Sequence, residues 1–120
     1  MNNKLVYICS PLRGDVESNQ EKCRQYCKFA CDLGVVPFAP HIFYTQFLSD
    51  DVEKEREMGI DCGLEILRKC DEMWVFVTEK YGITNGMKEE INVAKSNDIN
   101  LKYFYPNDEA IVWKKGPDNE

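Results

Sequence analysis

The residues with most to offer chemically lie in short, separated runs. Thr84-Asn85-Gly86 stands just ahead of a helical pattern, and Glu90 follows Gly86 by four. Backbone N–H groups at a helix start lack intrahelical partners, so an anion is welcome there. A glycine at that point lets a ligand approach the main chain closely. Glu90 falls in the first turn or just after it, where the helix dipole favours a charged carboxylate. A fixed, ionised carboxylate suits a nucleophile or an electrostatic stabiliser. The alternative is a solvated Glu that stabilises only its own helix. Glu89 is the more solvated of the pair, because Glu90 adjoins Ile91 and precedes Ala94 by four.

Three further side chains belong with these. Arg13 follows an apolar run, in Ser10-Pro11-Leu12-Arg13-Gly14-Asp15. It either grips a phosphate or carboxylate through its two-pronged guanidinium or pairs with Asp15 at the surface. His41, the sole histidine, lies between Pro40 and a run of aromatics. It either meets a ligand or moves a proton, or it is a packed, hydrogen-bonded structural residue. Tyr7 presents a hydroxyl to the site if its strand position faces that way, and is otherwise a core aromatic. The six cysteines, at 9, 23, 27, 31, 62 and 70, read as reduced, small core hydrophobes. Cys23, Cys27 and Cys31 repeat every four residues, which makes a helical stripe and not a Cys-x-x-Cys metal pair. No metal or redox cofactor is expected.

Positioning these groups falls to an alternation of elements. Leu5–Cys9 is continuously apolar, as in a strand buried on both faces. Ser18-x-x-Glu21 reads as a capping box opening a helix that turns Cys23, Tyr26, Cys27, Ala30 and Cys31 inward and stops at Gly34. Val35–Phe38 is a short strand whose proline suits an edge. Pro40–Tyr44 reads as a rigid loop. The charged stretch 50–57 opens a helix with the stripe Met58, Cys62, Ile66, Cys70 and Leu67 beside it. Met73–Val77 is a third strand and Met87–Ser96 a third helix, with Met87, Ile91 and Ala94 inward. Leu101–Tyr105 is a fourth strand, and Ala110–Trp113 adds a short edge strand. The pattern predicts an α/β fold: a Rossmann-like, doubly wound, mainly parallel sheet of four to five strands with helices on both faces. Such sheets bind ligands beyond the carboxyl ends of their strands, which gathers the loops carrying Arg13, His41 and Glu90 at one edge. One domain is expected over residues 1–113, with a flexible polar tail at 114–120.

Composition excludes several classes. The 120 residues are 43% hydrophobic and 30% charged, which suits a globular chain. No apolar run approaches the roughly 20 residues that span a bilayer, and the apolar run near Met1 is too short for a signal peptide. A cytoplasmic protein is expected, without a membrane partner. The net charge of −6 argues against binding a nucleic-acid polymer, though a local basic pocket can still hold one nucleotide.

The same residues carry a family likeness. Tyr7-Ile8-Cys9-Ser10-Pro11-Leu12-Arg13-Gly14, the Pro40-His41 loop, the stretch from Gly63 to Asp71, and Thr84-Asn85-Gly86-Met87-x-x-Glu90 resemble, in this order, the nucleoside 2-deoxyribosyltransferase superfamily. That superfamily includes deoxynucleoside monophosphate N-glycosidases, and the likeness is nearest to a small uncharacterised bacterial and phage domain within it. It runs over roughly residues 4–105. The resemblance implies that Glu90 is the nucleophile at C1′ of the sugar and that Tyr7 orients it. It implies that Arg13 and the Thr84–Gly86 loop hold a phosphate, that His41 lies near the ligand, and that the chain forms a homodimer or higher homo-oligomer. The aromatics Phe43, Tyr44 and Phe47 hint at such an interface. Two departures stand out. Gly63 takes the place of an Asp that helps protonate or bind, and Ser10 and Pro11 replace a usual Gly and Ser. The site expected is then Glu90 and Tyr7 as catalytic residues, with Ser10, Arg13, Gly14, Asp15, His41, Asp61, Thr84, Asn85, Gly86 and Met87 around a nucleoside or nucleotide. A non-catalytic nucleotide-binding module is the competing expectation.

Overall fold

A computed structural model describes residues 3–107 and 109–114. Its centre is a five-stranded sheet in the order β2-β1-β3-β4-β5. The strands are β1 (Leu5–Cys9), β2 (Val36–Phe38), β3 (Glu72–Phe76), β4 (Asn100–Pro106) and β5 (Ile111–Lys114). The first four run parallel, and β5 closes one side antiparallel to β4. Around them lie α1 (Val16–Asp32), α2 (Pro40–Phe43), α3 (Glu53–Leu67) and α4 (Asn85–Ser96). The expected doubly wound sheet is present, and Lys114 ends β5; the rest of the expected tail, residues 115–120, lies outside the described residues. No described helix is long and apolar enough to cross a membrane.

The continuous apolar runs have the physical cause expected of them, since both faces of the sheet are covered. Val6 and Ile8 of β1, with Trp74 and Phe76 of β3, pack under Cys23, Tyr26 and Ala30 of α1. Tyr7 and Cys9, with Met73 and Val75, pack under Leu67 of α3 and Met87, Ile91 and Ala94 of α4. The alternation of β1 thus delivers Tyr7 and Cys9 to the α3/α4 face.

Four expectations are corrected. α1 starts three residues before Ser18's expected capping box: Asp15 is the cap, and its Oδ1 accepts from the Ser18 amide at 3.2 Å. Its buried stripe is Asn19, Cys23, Tyr26 and Ala30, while Cys31 is exposed. Pro40–Phe43 is a helical turn, continued by a 3-10 turn over Tyr44–Gln46, because Pro at the first helical position fits the helix start. On α3 the buried residues are Gly63 and Leu67; Met58 and Cys62 face solvent. All six cysteines are free thiols.

Glu72 is buried where β3 begins, at the amino end of the parallel strands. Its carboxylate accepts from Lys4 Nζ at 2.8 Å and Trp74 Nε1 at 2.9 Å, with Lys102 Nζ at 3.5 Å. Burial pushes its pKa up, but these donors and charges outweigh it and hold the carboxyl below its ordinary value.

Candidate active site

At the opposite end of the sheet a cavity of about 470 Å³ opens over β1 and β3, where the strand order reverses direction. The three loops picked out by the carboxyl-end rule all reach it. Ser10 and Arg13 come from the β1–α1 loop, His41 from α2, and Thr84, Asn85, Gly86, Met87 and Glu90 from the start of α4. Tyr7 lines it from β1.

Glu90 and Tyr7 form its chemical centre. Tyr7, 1% exposed, donates its hydroxyl to Glu90 Oε2 at 2.5 Å. Cys9, two residues along the same strand face, donates its thiol to the Met87 carbonyl oxygen at 3.9 Å. Burial, reinforced by the Glu90 charge, pushes both the Tyr7 hydroxyl and the Cys9 thiol well above their ordinary pKa, so both remain donors. The half-buried Glu90 departs from the expectation of a dipole-stabilised anion. It is the sixth residue of α4, beyond the turn over which the dipole acts. Loss of water around the carboxyl raises its pKa to about 7; the Tyr7 and Cys9 donors pull the other way, and the charge of Glu89 adds to the rise. Near neutral pH the group is poised between acid and anion.

The anion-welcoming helix start is present. Thr84 caps α4, its Oγ1 accepting from the Met87 amide at 3.2 Å, which leaves its O–H available as a donor. The Asn85 and Gly86 amides precede the intrahelical ladder. A Cβ added to Gly86 would meet nothing within 4 Å, which leaves room for a ligand beside the backbone. Met87 touches the cavity, yet its side chain belongs to the core. Ser10 is 1% exposed, and its side chain lies beside the Cys23 thiol of α1. His41 Nε2 lies 2.9 Å from the Ser10 carbonyl oxygen. A carbonyl only accepts, so Nε2 carries the proton. Burial lowers the His41 pKa, although the Ser10 carbonyl and the Asp50 charge oppose this; its ring is neutral at pH 7.

Three expected contacts do not line the cavity. Asp15 is spent on capping α1 and, through its amide, on Tyr81 Oη at 3.0 Å. Gly14 sits at φ +103°, and a Cβ there would fall 2.6 Å from Tyr81 Oη, so this glycine serves the packing of Tyr81. Asp61 is exposed on α3; it is two residues from Gly63, about 200° around the helix. Gly63 faces inward instead, where a Cβ would stand 3.3 Å from Tyr7 Oη and from Pro40. Nor does Arg13 pair with Asp15: its Nε lies 3.7 Å from Asp50 Oδ2.

Sequence reasoning missed the wall built by α3 and the turn that leads into it. Asp50, Arg56, Gly59, Ile60 and Leu64 all line the cavity. The signal was available: Arg56 interrupts an acidic run, and Gly59 and Gly63 stand four apart on a helix, marking a face that something approaches closely.

The assembled fold is the one seen in 2-deoxyribosyltransferases. The enzyme from the psychrotolerant bacterium Bacillus psychrosaccharolyticus superposes with a TM-score of 0.70 at 18% identity, over 90% of this chain and 77% of that one. The 2-deoxyribosyltransferase from Leishmania mexicana does so with a TM-score of 0.59, also at 18% identity, over 87% of this chain and 65% of that one. This chain thus spans just under two thirds of the Leishmania protein. The chain itself belongs to the family described as a domain of unknown function (DUF7768), whose model matches residues 4–104. A comparison with curated protein sequences finds no match.

Proposed function

We propose that this chain cleaves the N-glycosidic bond of a nucleoside or nucleoside monophosphate, as a hydrolase or a 2-deoxyribosyltransferase, with Glu90 as nucleophile. The observation that carries the proposal is the Tyr7–Glu90 pair, 2.5 Å apart at the inner end of a cavity sized for a small molecule. In the ionised form Glu90 attacks C1′ of the sugar. The bond to the base breaks, its electron pair leaves with the base, and a glycosyl–Glu90 ester results. Water, or a second base in the transferase case, then attacks C1′ and releases Glu90. Tyr7 holds the carboxylate in line and shares its charge. The start of α4, Ser10 and Arg13 hold the rest of the ligand. The test is incubation of the protein with a panel of deoxynucleosides and their 5′-monophosphates, assayed by chromatography for free base and exchanged sugar. Release is expected from the wild type and about a thousandfold less from Glu90→Ala. An equal rate in that variant overturns the assignment.

A second reading, a nucleotide-binding module without turnover, is favoured by Gly63. Where the resemblance calls for an acid to protonate the leaving base, there is no side chain, and Tyr7 Oη occupies the neighbouring space. Nucleotide-dependent thermal stabilisation with no base released supports that reading. We further propose a homodimer formed through the patch of Phe43 and Phe47, which are 47% and 61% exposed and stack edge to face beside the cavity-lining Tyr44.

A further inference from the structure

An uncharged base leaving C1′ needs a proton at its ring nitrogen. Among the described residues that line the cavity, the acidic protons are engaged elsewhere. The Tyr7 hydroxyl donates to Glu90, and His41 Nε2 donates to the Ser10 carbonyl oxygen. The Tyr44 hydroxyl adjoins the Cys62 thiol, and burial raises its pKa above the ordinary value. Asp50 is paired as a carboxylate with two arginines, its Oδ2 3.7 Å from Arg13 Nε and its Oδ1 3.8 Å from Arg56 Nε. Glu55 accepts from the Ser49 amide at 2.7 Å. The serine and threonine hydroxyls are too weak as acids for this step. Glu90 attacks as the anion, and in that form it has no proton to give.

We propose that the site takes N-glycosides whose base is already a cation, a pyridinium or an N7-alkylated purine, so that the base leaves as a neutral molecule. The inference rests on the reading of Glu90 as nucleophile and names the substrate class of that same site. The Glu90 carboxylate attacks C1′, a C1′–O bond forms, and the C1′–N bond breaks. Its electron pair neutralises the ring nitrogen, and no proton moves in this step. Water then attacks C1′ of the ester, Glu90 leaves as the anion, and the surplus proton of the water passes to solvent. The charge around the reacting end suits such a base. Both arginines of the cavity are drawn to Asp50, whereas Glu89 and Glu90 stand side by side at the start of α4. The charge of Glu89 resists ionisation of Glu90. A cationic ring placed against the two offsets that repulsion and favours the Glu90 anion as the substrate arrives. An uncharged base does neither. Tyr44 also lines the cavity and adds an aromatic ring of the kind that attracts flat cations.

The test is incubation of the full chain with the ribosides and 2′-deoxyribosides of nicotinamide, adenine and uracil. Nicotinamide is the cationic base of the three in these compounds. Base release is followed by chromatography and divided by the spontaneous rate of each compound, which removes the greater intrinsic lability of the pyridinium bond. The acceleration of nicotinamide release is expected to exceed that of the two uncharged bases by about a hundredfold or more, the usual worth of a proton donor. Glu89→Gln changes an exposed residue and leaves the core alone. It is expected to lower kcat/KM for the nicotinamide compound by about threefold, and for the adenine compound by less. Equal losses on the two compounds overturn the proposal. Equal acceleration of all three bases, abolished in Glu90→Gln, overturns it too and leaves the glycosidic reading standing. Acceleration of none overturns both. Nicotinamide release that persists in Glu90→Gln removes the nucleophile and this inference with it.

Discussion

Glu90 shows how one carboxyl responds to its depth in the protein. The protein raises its pKa to about 7 by removing water from around it. If Glu90 is the nucleophile, kcat/KM rises with pH and levels off above about 7, and a pH–rate profile reads that limb directly. Stability runs in the opposite sense. A carboxyl whose pKa is raised on folding binds its proton more firmly in the native state. Its contribution is complete below the unfolded value of 4.5 and is lost as pH rises through about 7. Glu90→Gln keeps an acceptor for Tyr7 and cannot ionise. It is expected to be more stable than wild type by about 1–3 kcal/mol at pH 8, with little difference at pH 5, as read by denaturant unfolding at the two pH values. A pH-independent difference refutes the burial argument.

At the scale of elements, loops and helix starts do the positioning. The turn from β1 into α1 is fixed by Gly14, whose positive φ and contact with Tyr81 exclude a side chain. Gly14→Ala is expected to cost about 1–3 kcal/mol, measured by urea unfolding, through left-handed backbone strain and the displaced tyrosine. Of the elements, β1, β3, α4 and the order of the loops were legible in the sequence, because apolar runs and the spacing of Met87, Ile91 and Ala94 are local signals; that α4 begins at Asn85, capped by Thr84, was not read. The α2 turn was not, since Pro40 is compatible with both a rigid loop and a helix start. The inward face of α3 was misread because Met58 and Cys62 are apolar but exposed, while the residue that packs inward is a glycine with no hydrophobic signature. For the site, Arg13, His41 and the α4 start were readable from the carboxyl-end rule, while Tyr7 came only from the family resemblance. The wall of Asp50 and Arg56 went unread although the glycine spacing on α3 hinted at it, because which face of that helix turns inward is decided by packing.

Across the whole molecule, the reversal of strand order between β1 and β3 places the cavity, and Tyr44, which lines it, packs against the exposed Phe43 and Phe47. If these aromatics join two protomers, Phe47→Asp brings a charge into an apolar contact and is expected to shift sedimentation from dimer to monomer, with secondary structure unchanged. A wild-type protein that sediments as a monomer removes the proposed interface.

The sheet also has two chemically opposed poles. Glu72 draws strength from being an anion, so acid undoes its ties to Lys4 and Trp74. Glu90, a sheet's length away, is relieved by the same acid. Lowering the pH therefore loosens the amino end of the sheet while easing the strain of a buried charge at its cavity end. An engineer seeking acid tolerance can rework the amino end and leave the pocket untouched.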